Sequence, residues 1–354
     1  MKKIFFIVFG FLFLIGVYFF NNQQFFFRPK ESPIPRGMDM KSAKVEIVAE
    51  KLDIPWAIGF LPDGSMLVTE RSGNLLKVKD DLKIPVAGVK HVGEGGLLGM
   101  ALHPNFAENH YLYLYLTTEG EASLENRVER YVFENDQLSE RKVILEGIPG
   151  AKYHDGGFLA FGPDKLLYVT TGDANDSDNA QNADSLAGKI LRMRDDGSNL
   201  EIFSMGHRNV QGITWDDKGQ LWATEHGRSG AASGFDELNL IEKGENYGWP
   251  IVEGDAVKEG FKKPVVHSGE EDTWAPGQIV FYGGKLFFSG LRGESLYEFS
   301  GGALKRHFFG DFGRLRALTI GMDGYFYFST SNTDGRGEPR KNDDKIVKVH
   351  PSAL

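Results

Sequence analysis

The chain has 354 residues, 41% of them hydrophobic, with 44 glycines, a formal net charge of −9 and no cysteine. The acidic balance argues against a nucleic-acid partner, which shows itself as a basic stripe. The missing thiols exclude disulfides, thiolate catalysis, zinc–thiolate centres and a lipid anchor on cysteine.

Lys2 and Lys3 precede an apolar run from Ile4 to Phe20, 17 residues long. A secretory apolar core runs to about 7–15 residues and ends at small residues. A bilayer span needs roughly 17–25. No small-residue cleavage site follows this run, so residues 1–20 read as a signal anchor in preference to a cleaved signal peptide. The lysines keep the N-terminus in the cytoplasm. The bulk is thus expected to be extracytoplasmic, either membrane-anchored through this segment or secreted. Residues 21–44, with Pro29, Pro33 and Pro35, read as a linker.

From residue 45 to 354 one phrase returns six times, at Ile58–Thr69, Met100–Phe106, Leu159–Thr170, Ile213–Thr224, Ile279–Ser289 and Leu318–Ser329. Each copy reads as strand, tight polar turn, strand. Pro-Asp-Gly or Asp-Gly supplies most of the turns, and β-branched and aromatic residues flank them. A repeat of this kind every 40 to 60 residues or so predicts an all-β, six-bladed β-propeller. Propellers carry their chemistry at one mouth of the central channel, so the polar residues between the phrases become the candidates.

Before the second phrase, Glu94 sits among Gly93, Gly95 and Gly96, where the backbone can approach a ligand or a neighbouring blade closely. Before the third, His154 is followed by Asp155-Gly156-Gly157, a position from which an imidazole can act as a base or simply support the fold. The phrase then runs into Asp173, Asp176 and Asp178. Asp173 can orient a neighbouring histidine, four polar oxygen-bearing residues of this short loop can bind calcium, or all can make turns. Arg208 and Asn209, before the fourth phrase, form a compact donor set for an anionic or carbonyl-rich ligand. After it, Gly227 can offer a backbone carbonyl to a cation, and Asn246–Pro250 reads as a blade-closing packing motif. Arg292 lies in the fifth phrase's loop. Arg314 and Arg316, before the sixth, share a strand face and call for either an anion or solvent between them.

Gly95-Gly-Leu-Leu-Gly99, His103-Pro-Asn-Phe106, Gly206-His-Arg-Asn-Val-Gln-Gly212, Asp236-Glu-Leu-Asn-Leu240 and Asn246-Tyr-Gly-Trp-Pro250 are together similar to the pyrroloquinoline quinone (PQQ)-dependent aldose sugar dehydrogenases, the glucose/sorbosone dehydrogenase family. The resemblance covers roughly residues 45 to 350. It implies oxidation of an aldose at its anomeric carbon to a lactone, with hydride transfer to PQQ, aid from Ca2+ and an external electron acceptor. It assigns the general base to His154, its orienting carboxylate to Asp173 and the stabiliser of quinone charge to Arg208. Glu94, Asn209, Arg292, Arg314 and Arg316 would contact the cofactor, and the carbonyls of Gly227 and Arg228 would hold the metal. Departures are Glu94 for a family Gln, Arg228 for Pro, Arg292 for Lys, and an insertion over Ser229–Gly234. A calcium-dependent propeller hydrolase such as a lactonase, with His154 activating water, and a non-catalytic carbohydrate- or protein-binding propeller are the alternatives. The hydrolase would have little use for Arg208, Arg314 and Arg316 at one mouth, and the intact His154, Asp173 and Arg208 set argues against the non-catalytic propeller.

Overall fold

Five of the repeated phrases span the two inner strands of a four-stranded antiparallel sheet. The second (Met100–Phe106) covers only the end of its first strand and the turn after it. Six such sheets make the blades of a β-propeller. The computed structural model describes residues 44–121, 123–229 and 233–354. The expected signal anchor (1–20) and nearly all of the linker (21–44) lie outside the described residues.

Strand β1 (Val45–Ala49) comes first in the chain but belongs to the last blade. Blade one holds β2 (Pro55–Phe60), β3 (Met66–Glu70), β4 (Asn74–Lys77) and β5 (Leu82–Pro85). Blade two holds β6 (Leu97–Leu102), β7 (Tyr111–Glu119), β8 (Leu124–Glu134) and β9 (Gln137–Pro149), with the single-turn helix α1 (Phe106–Asn109) between its first two strands. Blade three holds β10 (Leu159–Phe161), β11 (Leu167–Thr170), β12 (Lys189–Met193) and β13 (Glu201–Met205), with α2 (Asp178–Gln181) in the loop before β12. Blade four holds β14 (Val210–Trp215), β15 (Leu221–Glu225), β16 (Glu237–Ile241) and β17 (Val266–His267). Blade five holds β18 (Pro276–Tyr282), β19 (Lys285–Gly290), β20 (Ser295–Ser300) and β21 (Ala303–His307). Blade six holds β22 (Leu315–Ile320), β23 (Phe326–Thr330) and β24 (Ile346–Val349), with β1 as its outermost strand. Val45 pairs with Val349 and Ile47 with Val347, so the two ends of the propeller share one sheet and close the ring.

Local chemistry explains why the phrase repeats. Between the first and second strands, Asp63 Oδ1 accepts the Ser65 N–H at 2.8 Å and Asp164 Oδ1 that of Leu166 at 3.1 Å. Asp216 Oδ1 does the same for Lys218 at 2.9 Å, and Asp323 Oδ1 for Tyr325 at 3.2 Å. An aspartate that binds its own backbone two residues on makes a turn without distant help. The other carboxylate oxygen accepts from Tyr168 Oη (3.0 Å), Tyr327 Oη (2.8 Å) and Trp222 Nε1 (3.0 Å) in three of these blades.

The phrase also ends in a hydroxyl for a reason. Thr69 Oγ1 donates to Leu98 O at 2.6 Å, Thr170 Oγ1 to Val210 O at 2.9 Å and Thr224 Oγ1 to Gly277 O at 2.6 Å. Ser289 Oγ donates to Arg316 O at 2.6 Å and Ser329 Oγ to Pro55 O at 3.2 Å. Each bond staples a second strand to the inner strand of the next blade and sets its depth. Between blades two and three the link is Tyr115 Oη to Asp155 O, at 2.8 Å. Inner strands come close enough that a Cβ on Gly99 would lie 2.0 Å from Gly157 O. Edge-on aromatic pairs such as Phe287–Phe326, with ring centroids 4.9 Å apart, and Tyr168–Trp215, at 5.0 Å, fill the wedges between blades.

This topology sorts the polar residues. The aspartate turns lie on one face of the ring. The segments entering each inner strand and the loops joining second to third strands emerge together on the opposite face.

Candidate active site

His154 enters blade three in left-handed backbone at φ 63, a conformation a histidine holds only when its surroundings fix it. Glu94, at the entry to blade two, does so by accepting the His154 N–H on Oε2 at 2.9 Å. The imidazole is then held at both nitrogens. Nδ1 lies 2.8 Å from Asp173 Oδ1, and Nε2 lies 2.9 Å from Arg208 Nη2. A guanidinium can only donate, so Nε2 carries the lone pair and Nδ1 carries the proton that Asp173 accepts. The result is a neutral imidazole with its basic nitrogen aimed at the cationic wall of the mouth.

Arg208 is 5% exposed and is fixed from behind. Its backbone N–H donates to Glu225 Oε1 at 2.5 Å. Glu225 Oε2 meets His207 Nδ1 at 2.8 Å, and His207 Nε2 meets Ser204 Oγ at 2.8 Å. Hydroxyl, imidazole and carboxylate are ordered here as in a nucleophilic triad. All three are buried, however, which leaves no access for a substrate, and the chain serves as the backing of Arg208.

Around this base the mouth collects guanidiniums. Arg314 pairs with Asp334 at 3.0 Å, and Arg316 Nη1 donates to Gln211 Oε1 at 2.5 Å. Arg336 meets Glu94 Oε1 at 2.5 Å, and Arg71 Nε donates to His91 Nε2 at 3.3 Å. Burial leaves Arg314 and Arg316 no solvated strand edge. Among the described residues Arg71, Arg208 and Arg316 have no carboxylate within ion-pair distance. Burial pushes all three below the usual guanidinium range, Arg316 to about 9. Glu94 behaves oppositely. Burial would raise its carboxyl, but Arg336, His226 and the His154 N–H outweigh that and hold it at about 2. Asn209 adds a donor without a partner. Its Oδ1 accepts from Gly156 N at 3.0 Å and Gln211 Nε2 at 2.9 Å, while its buried Nδ2 finds no acceptor among the described residues. Desolvated cations and an orphaned buried amide describe a site built for a polyanion with carbonyl oxygens.

The structure brings Glu94, His154, Asp173, Arg208, Asn209, Arg314 and Arg316 to this mouth. Arg292 stands on the same face between β19 and β20, but it is exposed, and among the described residues only its backbone N–H is engaged, with Trp274 O at 3.1 Å. Gly227 N donates to Asp236 Oδ1 at 2.9 Å, and Asp236 Oδ2 takes the N–H groups of Trp274 and Ala275 at 2.6 and 2.8 Å, so Asp236 anchors that loop. The Arg228 guanidinium is neutralised by Glu253 at 3.2 Å and lies 4.8 Å from the Phe235 ring. Its carbonyl accepts a long bond from Gly234 N at 3.3 Å, and residues 230–232 of the expected insertion lie outside the described residues. Besides His154, Asp173 Oδ1 also accepts the Asn175 N–H, and Asp176 Oδ1 accepts that of Asp178. Among the described residues no three His, Cys, Asp or Glu side chains gather as a metal cluster.

Three mouth residues carry no sequence signal that would have singled them out. Arg71 and Arg336 lie in second-to-third-strand loops of blades one and six. Trp249 belongs to the string expected to close a blade by packing. Tyr247 of that string does pack, stacked 4.9 Å from the His207 ring. Trp249 instead reaches the site, where its Nε1 donates to Asp173 Oδ2 at 2.9 Å.

The family model described as Glucose / Sorbosone dehydrogenase matches residues 52–337. A Synechocystis protein named uncharacterized protein slr1608 is 39% identical over 245 residues, a match spanning 58% of each chain. Aldose sugar dehydrogenase YliI of Escherichia coli is 31% identical over 359 residues, covering 88% of this chain and 93% of that one. Among solved structures, the PQQ-bound form of aldose sugar dehydrogenase from Streptomyces coelicolor superimposes with a TM-score of 0.78 at 38% identity, covering 86% of this chain and 97% of that chain.

Proposed function

Because this chain belongs to the glucose/sorbosone dehydrogenase family, we propose that it is a PQQ-dependent aldose sugar dehydrogenase. The reading extends to oxidation at the anomeric carbon to a lactone, with assistance from Ca2+. The observation that carries it is the neutral His154, tautomer fixed by Asp173, set among guanidiniums that lack enough carboxylates to pair with.

Arg71, Arg208, Arg314 and Arg316 would meet a tricarboxylate, and Asn209 Nδ2 a carbonyl oxygen. The carbonyls of Gly227 and Arg228 would hold Ca2+; oxygen donors suit that hard cation, and Glu253 removes the Arg228 charge that would repel it. When bound, the quinone would supply the hydride acceptor and the metal a Lewis acid.

The chain's own residues supply the proton chemistry and orientation. His154 Nε2 takes the anomeric hydroxyl proton as the C–H hydrogen leaves with its electron pair and the C=O bond forms. Asp173 steadies the imidazolium through Nδ1. Arg208, released from Nε2, offers its charge to the developing negative oxygen. A hydrolase would need His154 to activate water but would leave the buried guanidiniums without a role. The apolar segment at residues 4–20 would hold the propeller outside the cytoplasm, anchored or released, where an external acceptor collects the electrons.

The test is reconstitution of the purified protein with PQQ and Ca2+, following aldose-dependent reduction of a redox dye. Activity should require both additions and vanish with chelator. Dye reduction independent of the quinone, or no quinone binding at all, overturns the reading.

A further inference from the structure

We propose that Trp249 is a positioning residue for the base, holding Asp173 and Arg208 in a common register on either side of His154. This rests on the role given to His154 above. Asp173 Oδ1 already serves two donors, His154 Nδ1 and Asn175 N, each at 2.8 Å. Among the described residues, Oδ2 is served by the Trp249 indole alone. Without that bond the carboxylate keeps its contacts on one oxygen but is free to turn about them, and the direction of the Nδ1–H bond is lost. The same indole lies against the second partner of the imidazole, with Arg208 Cζ 5.3 Å from the ring centroid.

The backbone of Trp249 ties it to the two segments it registers. Its N–H donates to Gly206 O at 3.0 Å, two residues before Arg208. Its carbonyl accepts from Gln181 Nε2 at 2.6 Å, in the loop that carries Asp173. Asn246 and Gln181 add an amide pair at 2.8 Å. One residue of blade four therefore fixes both groups that decide where the His154 proton sits and where its lone pair points. It does so from outside the reacting atoms.

Trp249→Phe keeps the ring and removes the N–H. In the cofactor-free protein the His154 Nδ1 proton, followed by 15N-edited NMR, should exchange with solvent about tenfold faster or more. In the loaded enzyme kcat should fall by roughly 10- to 100-fold, in keeping with loss of an outer hydrogen-bond partner, with the quinone Kd within about twofold. On an Asp173→Asn background the same change should cost no further activity, because the carboxylate it positions is gone. Unchanged proton exchange in a folded variant, or full additivity with Asp173→Asn, overturns the proposal. If Trp249→Phe does not fold, Gln181→Met loosens the Trp249 segment and is read by the same exchange, with no change again overturning it. Should the wild type oxidise no sugar, the dehydrogenase reading fails, while proton exchange still decides the positioning role.

Discussion

Glu94 of blade two and Arg336 of blade six meet across the mouth at 2.5 Å, although 242 residues separate them in the chain. The other oxygen of Glu94 holds the His154 N–H. The carboxylate that stands in place of the family glutamine is therefore already neutralised, and an incoming anion meets a paired charge.

That pairing sets opposite outcomes for its two halves. Glu94→Gln can still accept the His154 N–H but no longer neutralises Arg336, so PQQ should bind about tenfold tighter at low ionic strength. Arg336→Met should weaken binding by a similar factor and destabilise the fold by about 1 kcal/mol, the screened value for a half-exposed partner. Calorimetric titration and thermal melts check both, and an unchanged Kd in each would place the pair away from the ligand. Glu94 is held at about 2 against an ordinary 4.5, so its contribution to stability is complete above that range and is lost as pH falls from 4.5 toward 2. The acid-unfolding curve of Glu94→Gln should run flatter there.

Arg316 predicts the alkaline limit of cofactor affinity. Burial holds it at about 9, so it is charged below that pH and loses its charge above it. The logarithm of the quinone Kd should be flat near neutrality and weaken as pH rises through about 9. Arg316→Met should bind weakly throughout and lack the break. A break that survives in the variant belongs to another group.

His154→Ala should abolish sugar oxidation while leaving quinone affinity within a few-fold. Arg208→Met should lose roughly 10²–10³ in kcat, the cost of one preorganised donor to developing charge. Steady-state kinetics at saturating cofactor separates the two, and substantial turnover in His154→Ala removes it as the base.

The hydroxyl staples predict stability without touching the site. Thr224→Val keeps the shape but leaves Gly277 O unpaired, so urea unfolding should show a loss of about 1–2 kcal/mol with kcat unchanged. No loss would mean that water or backbone movement replaces the bond.

The propeller was legible because its repeating chemistry is local. An aspartate turn closes within two residues, and the Thr or Ser that staples the next blade sits at a fixed place in the phrase. His154, Arg208 and Glu94 were legible by position, each just before an inner strand. Arg71, Arg336 and Trp249 were not, because their partners are chosen by ring geometry. Trp249 finds Asp173 across 76 residues, and no spacing rule encodes that meeting. The string around Trp249 reads as packing because Tyr247 does pack, and nothing local distinguishes the two aromatic side chains.

Gln211 of blade four donates to Gly156 O of blade three at 3.4 Å and accepts from Arg316 of blade six. Beside it, Gln278 of blade five donates to Trp56 O of blade one at 3.0 Å. The Arg316 and Gln278 bonds tie non-adjacent blades together beneath the mouth, and a site reached from the mouth side alone would serve both partners in turn. Under the proposed reaction, oxidised sugar would leave before an electron acceptor approaches, and the two half-reactions would alternate. Initial-rate plots against sugar at several acceptor concentrations should be parallel; intersecting lines would require both partners inside at once.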